Sequence, residues 1–346
     1  MRLDPLHHLA RWLWHSRGLP ARGARVALLP LSALYGAVVW TRAALYRVGL
    51  LTPRRLPLPA VAVGNRAVGG AGKTPLAAWI AAFYAARGRV PGILLRGYGG
   101  DEPRVHERLV PGAVVVPNPD RLAGAAQALA RGADVLVLDD AFQTLAIGRD
   151  VNLVLVSAED VRLATWLLPA GPWRESGGAL RRADAVIVTR KRAGAEEARA
   201  RAAVLAARWP RTPVAVAHLA LDHLEGMLSG TRMDTAALRG RNVVAVAGIA
   251  DPESYAVQVR ASGARVQLVA YQDHHPYDED DLARLVRAQA AADYVVVTEK
   301  DAVKLRHRWP ADAREPLVAV LTVRWEHNGE AIVQALDALP VVPRRF

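Results

Sequence analysis

The sequence contains no cysteine, which excludes disulfide bonds and thiolate metal sites and fits a reducing compartment. Aromatic residues are only 6% of the chain, and the arginines are dispersed along it. Because nucleic-acid-binding proteins cluster basic residues on one element with interleaved aromatics, these features argue against a nucleic-acid partner. The run Val26–Trp40 is uncharged but falls short of the roughly 20 apolar residues that a bilayer span requires. A cleaved signal peptide also fits poorly, since the basic region before this run is long and no small-residue cleavage site follows.

Apolar and basic residues are abundant instead. The chain has 346 residues, of which 52% are hydrophobic, and this predicts sizeable cores and room for two domains. Lys and Arg number 45 against 33 Asp and Glu, a net charge of +12. Such an excess favours a polyanionic partner, namely nucleic acid, an anionic membrane surface or a phosphorylated substrate. An arginine-rich composition of the whole chain is the alternative explanation.

The N-terminal segment differs from the rest of the chain. Arginines lie on both sides of Val26–Trp40, and the run itself contains Pro30 and Gly36. Apolar helices flanked by arginines at head-group level are typical of membrane interfaces. We therefore predict a membrane-associated helix, which either spans the bilayer briefly or lies in its interface. A buried helix of a soluble core is the alternative.

From residue 59 onwards, short β-branched runs alternate with alanine-rich helical stretches such as 75–88. This alternation predicts an α/β fold in which helices cover both faces of a parallel sheet. The first series of predicted strands is 59–64, 92–96, 113–116, 134–139, 151–156 and 184–189, and the second is 243–248, 265–270, 294–299 and 316–321. The predicted domains are a membrane-associated helical segment at 1–52, a P-loop nucleotide-binding domain at 53–225 and a smaller α/β domain at 226–346.

The stretch "VAVGNRAVGGAGKTP" (Val61–Pro75) resembles a phosphate-binding loop, for which the usual pattern is G-x-x-x-x-G-K-[ST]. Gly72, Lys73 and Thr74 match, whereas Ala67 stands in place of the first glycine. Backbone N–H groups, the positive end of the following helix and Lys73 would bind phosphates, while the Thr74 hydroxyl would face Mg²⁺. The predicted nucleotide-binding residues are Gly69, Gly70, Ala71, Gly72, Lys73, Thr74 and Pro75.

Metal binding beside a P-loop usually involves an aspartate at the end of another strand. "DVLVLDDAFQT" supplies Asp139 and Asp140 at such a strand end. Adjacent side chains of an extended chain point to opposite faces, so we expect one of the two to face the metal. The pattern does not decide which one.

A kinase also needs a base within reach of the acceptor hydroxyl. Asp101 and Glu102 follow the strand predicted at 92–96, at the sheet edge where ligands bind in open α/β folds. His274 and His275 follow a predicted strand of the second series. Spacing alone does not join these segments.

Taken together, these segments resemble one family, the tetraacyldisaccharide 4′-kinases, which phosphorylate the lipid A precursor of Gram-negative bacteria. The resemblance extends from about residue 26 to 305, and its specificity comes from the ordered set of motifs. These are "VGNRAVGGAGKTP", "RGYGG", "GDEP", "LDDAFQ", "RDVNLVLV", "LLPAGPWRE", "RRADAVIVT", "AGIADP", "DHH" and "TEKDAVK".

The resemblance implies that ATP, with Mg²⁺, phosphorylates the 4′-hydroxyl of a tetraacyldisaccharide 1-phosphate to give the 1,4′-bisphosphate. It implies a place on the cytoplasmic face of the inner membrane, with the lipid A precursor and the membrane surface as partners and no obligate protein partner. By motif match, Asp101 corresponds to the family's catalytic aspartate and His274 to its paired histidine, which domain closure would bring together. Lys73 and Thr74 take P-loop roles, and Asp139 or Asp140 the metal role. The further substrate or nucleotide contacts that the match implies are Glu102, Arg121, Arg174 and Glu175.

Some positions depart from the family pattern. Ala141 and Thr144 stand where the family often has glycine and histidine, and "RGYGG" and "GDEP" share Gly100, so an intervening segment is missing. We expect altered kinetics with activity retained. A membrane-associated P-loop NTPase switch is the competing hypothesis. Such a switch usually carries a guanine-reading N-K-x-D motif, and the nearest string here is "TEKD".

Overall fold

A computed structural model describes residues 5–97, 100–159 and 166–340, without the side chains of residues 5–8 and 11. Tyr98 and Gly99 of the "RGYGG" motif therefore lie outside the described residues. The helices are α1 (Pro5–His15), α2 (Leu19–Ala27), α3 (Leu29–Arg47), α4 (Lys73–Ala85), α5 (Glu102–Leu109), α6 (Arg121–Ala130), α7 (Ala195–Arg208), α8 (Pro252–Ala261), α9 (Glu279–Ala288), α10 (Glu299–Leu305) and α11 (Gly329–Asp337). The strands are β1 (Ala60–Asn65), β2 (Pro91–Leu95), β3 (Val114–Pro117), β4 (Val135–Leu138), β5 (Val151–Ser157), β6 (Ala185–Arg190), β7 (Val214–Gly226), β8 (Arg232–Asp234), β9 (Asn242–Ala247), β10 (Arg265–Ala270), β11 (Tyr294–Thr298) and β12 (Leu317–His327).

The chain divides into two compact units that interleave along the sequence. The first contains the described residues of Met1–Arg96, Gly112–Ala217 and Trp325–Phe346. The second contains those of Gly97–Pro111 and His218–Arg324. The domain boundaries predicted from the sequence, after residues 52 and 225, stay a prediction.

The first unit is built on a parallel sheet with the strand order β6-β5-β1-β4-β2-β3. Its central strands are buried along their whole length, as expected for a sheet that is covered on both faces. Ala60 and Ala62 of β1 pack in a cluster with Ala125 and Ala128 of α6. The alternate β1 side chains are also fully buried and face the other side, and α4 lies against β1, β2 and β4. The predicted α/β fold is thus confirmed.

The second unit carries the parallel strand order β10-β9-β11-β12 and an antiparallel pairing of β7 with β8. Two clusters of buried apolar side chains lie in this unit. In one, Val246 and Val297 of the strands pack with Leu282 and Leu285 of α9, and the other lies around α8. The parallel sheet predicted for the second series of strands is therefore present.

β7 is the element that the sequence pattern missed. No strand is predicted between residues 189 and 243, but a 13-residue strand occupies Val214–Gly226 and β8 pairs with its end. Its first four residues are apolar and buried, whereas its second half carries charged and histidine side chains that are only partly buried. This change of environment within one strand breaks the period on which strand prediction depends.

The N-terminal helices carry the apolar run. α2 ends at Ala27 and α3 begins at Leu29, with Pro30 in the first turn of α3, where the missing N–H of proline costs no hydrogen bond. No single described helix is both long and apolar enough to span a bilayer, although α2 and α3 together meet that test with a 49° bend between them. The apolar run therefore lies at the end of α2 and along α3, and the membrane association predicted for it stays a prediction.

Gly64 of β1 allows a close approach that gives a stability prediction. A Cβ atom at this position would lie 2.6 Å from Phe142 Cβ and 2.7 Å from its backbone nitrogen. Backbone atoms cannot move aside cheaply, so we expect Gly64→Ala to lower the free energy of unfolding by about 1–3 kcal/mol. Thermal and denaturant unfolding would measure the loss. Gly23→Ala is the matched control, since a Cβ there meets nothing within 4 Å, and equal stability of the two variants would contradict the prediction.

Candidate active site

The P-loop of the first unit connects β1 to α4. Gly69 and Gly72 have φ angles of 137° and 87°, which glycine adopts without strain. Lys73 is the first residue of α4, so this helix begins two residues before the expected Pro75. The helix start has no side-chain cap and no acidic residue in its first turn. The first turn of the helix therefore contributes no acidic side chain of its own at the positive end, which suits phosphate binding.

Two side chains at the end of β6 and just after it donate hydrogen bonds to carbonyl groups of the P-loop. Thr189 Oγ1 donates to the Ala71 carbonyl over 2.8 Å, and Lys191 Nζ donates to the Gly70 carbonyl over 2.7 Å. In a trans peptide the N–H points away from the carbonyl. The Gly72 N–H therefore points away from Thr189. Thr189 and Lys191 were not predicted as site residues, although the "RRADAVIVT" motif marked this strand.

Ala67, which replaces the first glycine of the loop pattern, is buried and forms an antiparallel bridge with Trp173. The Arg66 guanidinium lies over the Trp173 ring at 4.4 Å. The segment before the P-loop is thus paired with the 166–175 segment. An alanine fits here because the backbone is extended and needs no positive φ.

Lys73 lies between an amide and a carboxylate at the sheet edge. Its Nζ is 3.3 Å from Asn65 Oδ1 and 3.8 Å from Asp140 Oδ1. Asp140 has a φ angle of 52°, a left-handed conformation that aspartate tolerates better than most residues. Both Asp140 oxygens are also 3.2 Å from one Arg174 nitrogen. The structure therefore brings together Lys73, Asp140 and Arg174 from three separate motifs.

Asp139 lies in a different environment from its neighbour. It is buried, and its backbone N–H donates to the Leu94 carbonyl. Arg121, also buried, donates to the Asp139 carbonyl over 3.0 Å and to the Asn118 carbonyl. In this structure Arg121 thus supports the strand end that carries both aspartates.

Glu175 and Gln143 connect the 166–175 segment to β1. Gln143 Nε2 donates to Glu175 Oε1 over 3.1 Å and to the Asn65 carbonyl over 2.9 Å, while Arg182 donates to the other Glu175 oxygen over 2.7 Å. Ala141, at the family's frequent glycine position, is fully buried in the α6 cluster. The Thr144 carbonyl accepts from Arg149. These contacts fix the loop after β4 without the family's frequent histidine.

Asp101 and His274, both in the second unit, lie in contact with each other. Asp101 caps α5, where its Oδ1 accepts from the Glu102 N–H. His274 Nδ1 is 3.1 Å from Oδ1 and 3.0 Å from Oδ2 of Asp101. His274 has a φ angle of 62°, and its N–H donates to the Gly248 carbonyl. We expected domain closure to bring the two side chains together, but both belong to one unit and already lie in contact.

The electrostatic setting of this pair is unusual, since Asp101 is only 3% exposed. Burial on its own would raise the pKa of Asp101, but the hydrogen bond from His274 and the charge of Lys304 outweigh it, so the pKa lies well below its usual range. The hydrogen bond with Asp101 raises the pKa of His274 despite its partial burial. Asp101 is therefore held as a carboxylate and the imidazolium form of His274 is favoured.

His275, the alternative histidine, has a different role. Its Nε2 contacts Asp281 of α9, and its ring stacks on Tyr271 at 4.6 Å between centroids. These contacts hold the loop after β10 against α9. The structure therefore pairs Asp101 with His274 and leaves His275 in the packing of this loop.

α10 supplies residues that the sequence pattern did not assign to the site. Lys304 Nζ lies 3.2 Å from Asp101 Oδ2, and Lys300 Nζ lies 3.5 Å from Glu102 Oε1. These two lysines of the "TEKDAVK" motif thus contact Asp101 and Glu102 at the start of α5. Their i, i+4 spacing, which places both on one helix face, was the available signal.

Buried acids of α10 stabilise the surrounding loops. Asp301 is fully buried and accepts from Thr298 Oγ1 over 2.6 Å and from the Gly248 N–H over 3.0 Å. A Cβ on Gly248 would lie 2.8 Å from Asp301 Oδ1. Since His274 bonds to the Gly248 carbonyl, Asp301 indirectly supports the histidine.

Glu299, the first residue of α10, gives a pH prediction. Burial raises its pKa from 4.5 to about 8, with Arg108 lowering it and Glu225 raising it. The folded protein then holds a proton that the unfolded chain has released, so this group lowers stability as pH rises from 4.5 to about 8. We expect Glu299→Gln to gain thermal stability relative to the unsubstituted chain on going from pH 5 to pH 8.5. Glu196→Gln, at a side chain 90% exposed, is the control. If the difference in melting temperature between Glu299→Gln and the unsubstituted chain is the same at both pH values, the prediction is contradicted.

The oxygen donors at the P-loop fit a magnesium ion. Among the residues that the structure describes, no group of three or more His, Cys, Asp and Glu side chains is arranged to hold a metal. Mg²⁺ is typically bound by one or two carboxylates together with substrate phosphates and water. The Thr74 hydroxyl and the carboxylates of Asp139 and Asp140 have the right chemistry for such a shared site.

Comparison with known proteins gives consistent matches. A family model described as tetraacyldisaccharide-1-P 4′-kinase matches residues 24–106 and 99–340. The tetraacyldisaccharide 4′-kinase of Anaeromyxobacter sp. (strain Fw109-5) is 37% identical over 94% of both chains. That of Anaeromyxobacter dehalogenans (strain 2CP-C) is 39% identical over 89% of this chain and 88% of its own. The crystal structure of LpxK from Aquifex aeolicus in complex with ATP aligns with a TM-score of 0.69 and 25% identity, covering 90% of this chain and 99% of that one.

Proposed function

The chain belongs to the tetraacyldisaccharide 4′-kinase family, and from this premise we propose that it transfers the γ-phosphoryl group of ATP to the 4′-hydroxyl of a tetraacyldisaccharide 1-phosphate. The product is the 1,4′-bisphosphate of the lipid A pathway. One observation carries the proposal beyond the family name: the chain combines a P-loop whose lysine begins an uncapped helix with a buried Asp101 that is hydrogen-bonded to His274.

The first unit binds the nucleotide in this proposal. Backbone N–H groups of Gly69–Thr74 and the positive end of α4 surround the phosphates, and Lys73 neutralises charge that develops on them. Arg174 is a second cation near Lys73, and both side chains contact the carboxylate of Asp140. Phosphoryl transfer depends mainly on positioning and charge stabilisation, so these residues carry most of the acceleration.

Thr74, Asp139 and Asp140 would hold Mg²⁺. Held by these residues, Mg²⁺ would supply positive charge that offsets the charge of the phosphates. Of the two aspartates, we assign the more direct part to Asp140, because its carboxylate is the one beside Lys73. Arg121 then acts by holding the Asp139 backbone in place.

The second unit presents the acceptor base. Asp101 accepts a hydrogen bond from the 4′-hydroxyl and orients its oxygen. It takes the proton as that oxygen bonds to the γ-phosphorus of ATP and the bond from this phosphorus to the leaving ADP breaks. His274 orients the carboxylate through Nδ1. Glu102, which follows Asp101 and contacts Lys300, is a candidate for binding the sugar head group, and Glu175 is a candidate for supporting Arg174 from the 166–175 segment.

The N-terminal helices provide the membrane contact. Exposed apolar side chains cover α2 and α3, among them Val26, Leu31, Leu34, Val38 and Trp40. Removing the acyl chains of the substrate from a bilayer costs about 0.8 kcal/mol per CH₂, so an enzyme acting on the head group should come to the surface. We place the protein on the cytoplasmic face of the inner membrane, with the net charge of +12 favouring anionic lipid and without a nucleic-acid partner.

A transfer assay tests the proposal. The full chain in detergent micelles is given γ-labelled ATP, Mg²⁺ and the disaccharide 1-phosphate lipid, with parallel reactions that omit the acceptor. We expect label in the lipid only when all components are present. A membrane-associated NTPase switch would instead release inorganic phosphate at the same rate with and without acceptor, and that result would reject the kinase assignment.

A further inference from the structure

Lysine is scarce in this chain, and its positions are informative. Of the 45 Lys and Arg residues, only four are lysine: Lys73, Lys191, Lys300 and Lys304. The first two belong to the P-loop and to its carbonyl contact, and the other two lie on α10. Lysine is a compact point charge, whereas arginine is a planar fork. Lysine in a chain that otherwise uses arginine therefore marks places where a compact charge lies close to its partner.

Lys304 occupies such a place. Its Nζ is 3.2 Å from Asp101 Oδ2 and is shielded from solvent, and its side chain is 12% exposed against 1% for that of Asp101. A buried carboxylate is costly unless it is paired. Because the buried Asp101 carboxylate is shielded from bulk water, Lys304 supplies the positive charge that stabilises it.

The contacts of the Asp101 carboxylate divide between its two oxygens. Oδ1 accepts from the Glu102 N–H and lies 3.1 Å from His274 Nδ1, while Oδ2 lies 3.0 Å from the same nitrogen and 3.2 Å from Lys304. A carboxylate held at both oxygens by groups on α5, α10 and the loop after β10 has little freedom to rotate. Lys304 is the group that fixes Oδ2 from the side of α10.

We propose that Lys304 is a positioning residue that, with His274, fixes the orientation and charge of the Asp101 carboxylate without itself touching either substrate. The proposal rests on the kinase function proposed above, because it assigns Asp101 as the base. Lys300 lies one turn before Lys304 on α10, and its contact with Glu102 links this helix to the start of α5.

The charged groups around Asp101 set the expected pH behaviour. Lys304 and Lys300 face it from α10, His274 and Asp273 from the loop after β10, and Glu102 follows it on α5. Both lysines lower the pKa of Asp101, with Lys304 acting more strongly. Removing a cation within 4–6 Å raises a carboxyl pKa by about 1–3 units. The acid limb of the rate profile, which reports the Asp101–His274 pair, should therefore move to higher pH when Lys304 loses its charge.

The experiment compares Lys304→Met, Lys304→Gln, Lys304→Arg and Lys300→Met in the transfer assay from pH 3 to 9, because the low pKa of Asp101 places the acid limb at low pH, and thermal melts at each pH show that every variant is folded there. Loss of charge at position 304 should lower kcat by about 10–100-fold with less than about a threefold change in KM for ATP, and should move the acid limb up by about one unit. Lys304→Arg should restore the acid limb. Lys300→Met removes the same charge one turn away and should shift the limb less.

An acid limb that stays in place in both Lys304→Met and Lys304→Gln would overturn the proposal, and so would a Lys304→Arg variant with the same shifted limb as Lys304→Met. If Lys304→Met does not fold, the Gln and Arg variants decide the matter by the same criteria. Failure of the kinase function has a separate signature: the unsubstituted chain would then give no label in the lipid. The results for the Lys304 variants therefore count against a positioning role only if the unsubstituted chain itself transfers phosphate to the lipid.

Discussion

Replacing Lys73 by methionine is expected to lower kcat for phosphoryl transfer by about 10²–10³-fold or more. The substitution keeps the length of the side chain and removes the ammonium that lies 3.8 Å from Asp140 at the helix start. The protein should remain folded, because this side chain is partly exposed and makes only two polar contacts in the structure. Rates of label transfer into the lipid, measured at saturating ATP, give the effect on kcat.

Arg199→Met is the matched control for Lys73→Met. It removes one positive charge from the same unit at a half-exposed helix position, where Arg199 pairs with Glu196. We expect its rate to stay within about twofold of the unsubstituted chain, since surface ion pairs contribute little. Equal rates for Lys73→Met and Arg199→Met would remove the P-loop from the mechanism.

Asp101→Asn is expected to lower kcat by about 10²–10⁴-fold, because the amide cannot accept the proton of the hydroxyl. The KM for ATP should change little, since in the proposed mechanism the P-loop binds the nucleotide and Asp101 acts on the acceptor hydroxyl. The variant also removes the contact that raises the pKa of His274, so that pKa should fall. Steady-state kinetics with varied ATP and NMR titration of the imidazole measure the two effects.

The chain offers a matched control for this variant in a second Asp–His contact of the same unit. His275 contacts Asp281 at the start of α9, where Asp281 also completes a capping box. Asp281→Asn should cost stability, as loss of a helix cap does, with a much smaller loss of turnover. A variant Asp101→Asn that keeps its turnover, or one no slower than Asp281→Asn, would disprove the role of Asp101 as base.

Much of the fold and part of the site followed from local patterns. All ten predicted strands overlap observed ones, because a strand buried on both faces reads as a continuous β-branched run. β7 escaped this reasoning, since its environment changes along its length. The P-loop could be predicted because its function is carried by eight consecutive residues, and the structure adds Thr189 and Lys191 as supports that no local motif announces.

The sequence by itself determined the α/β class, the nucleotide loop and the apolar N-terminal segment, because each depends on neighbours along the chain. Tertiary structure decided which of the acids and bases lie in contact. Asp101 and His274 are 173 positions apart, and Lys304 is brought to the same carboxylate from a third segment. A left-handed turn at Asp140 likewise set the carboxylate of that residue beside Lys73. Such contacts arise from strand order and backbone turns rather than from spacing, so only the folded chain could join them.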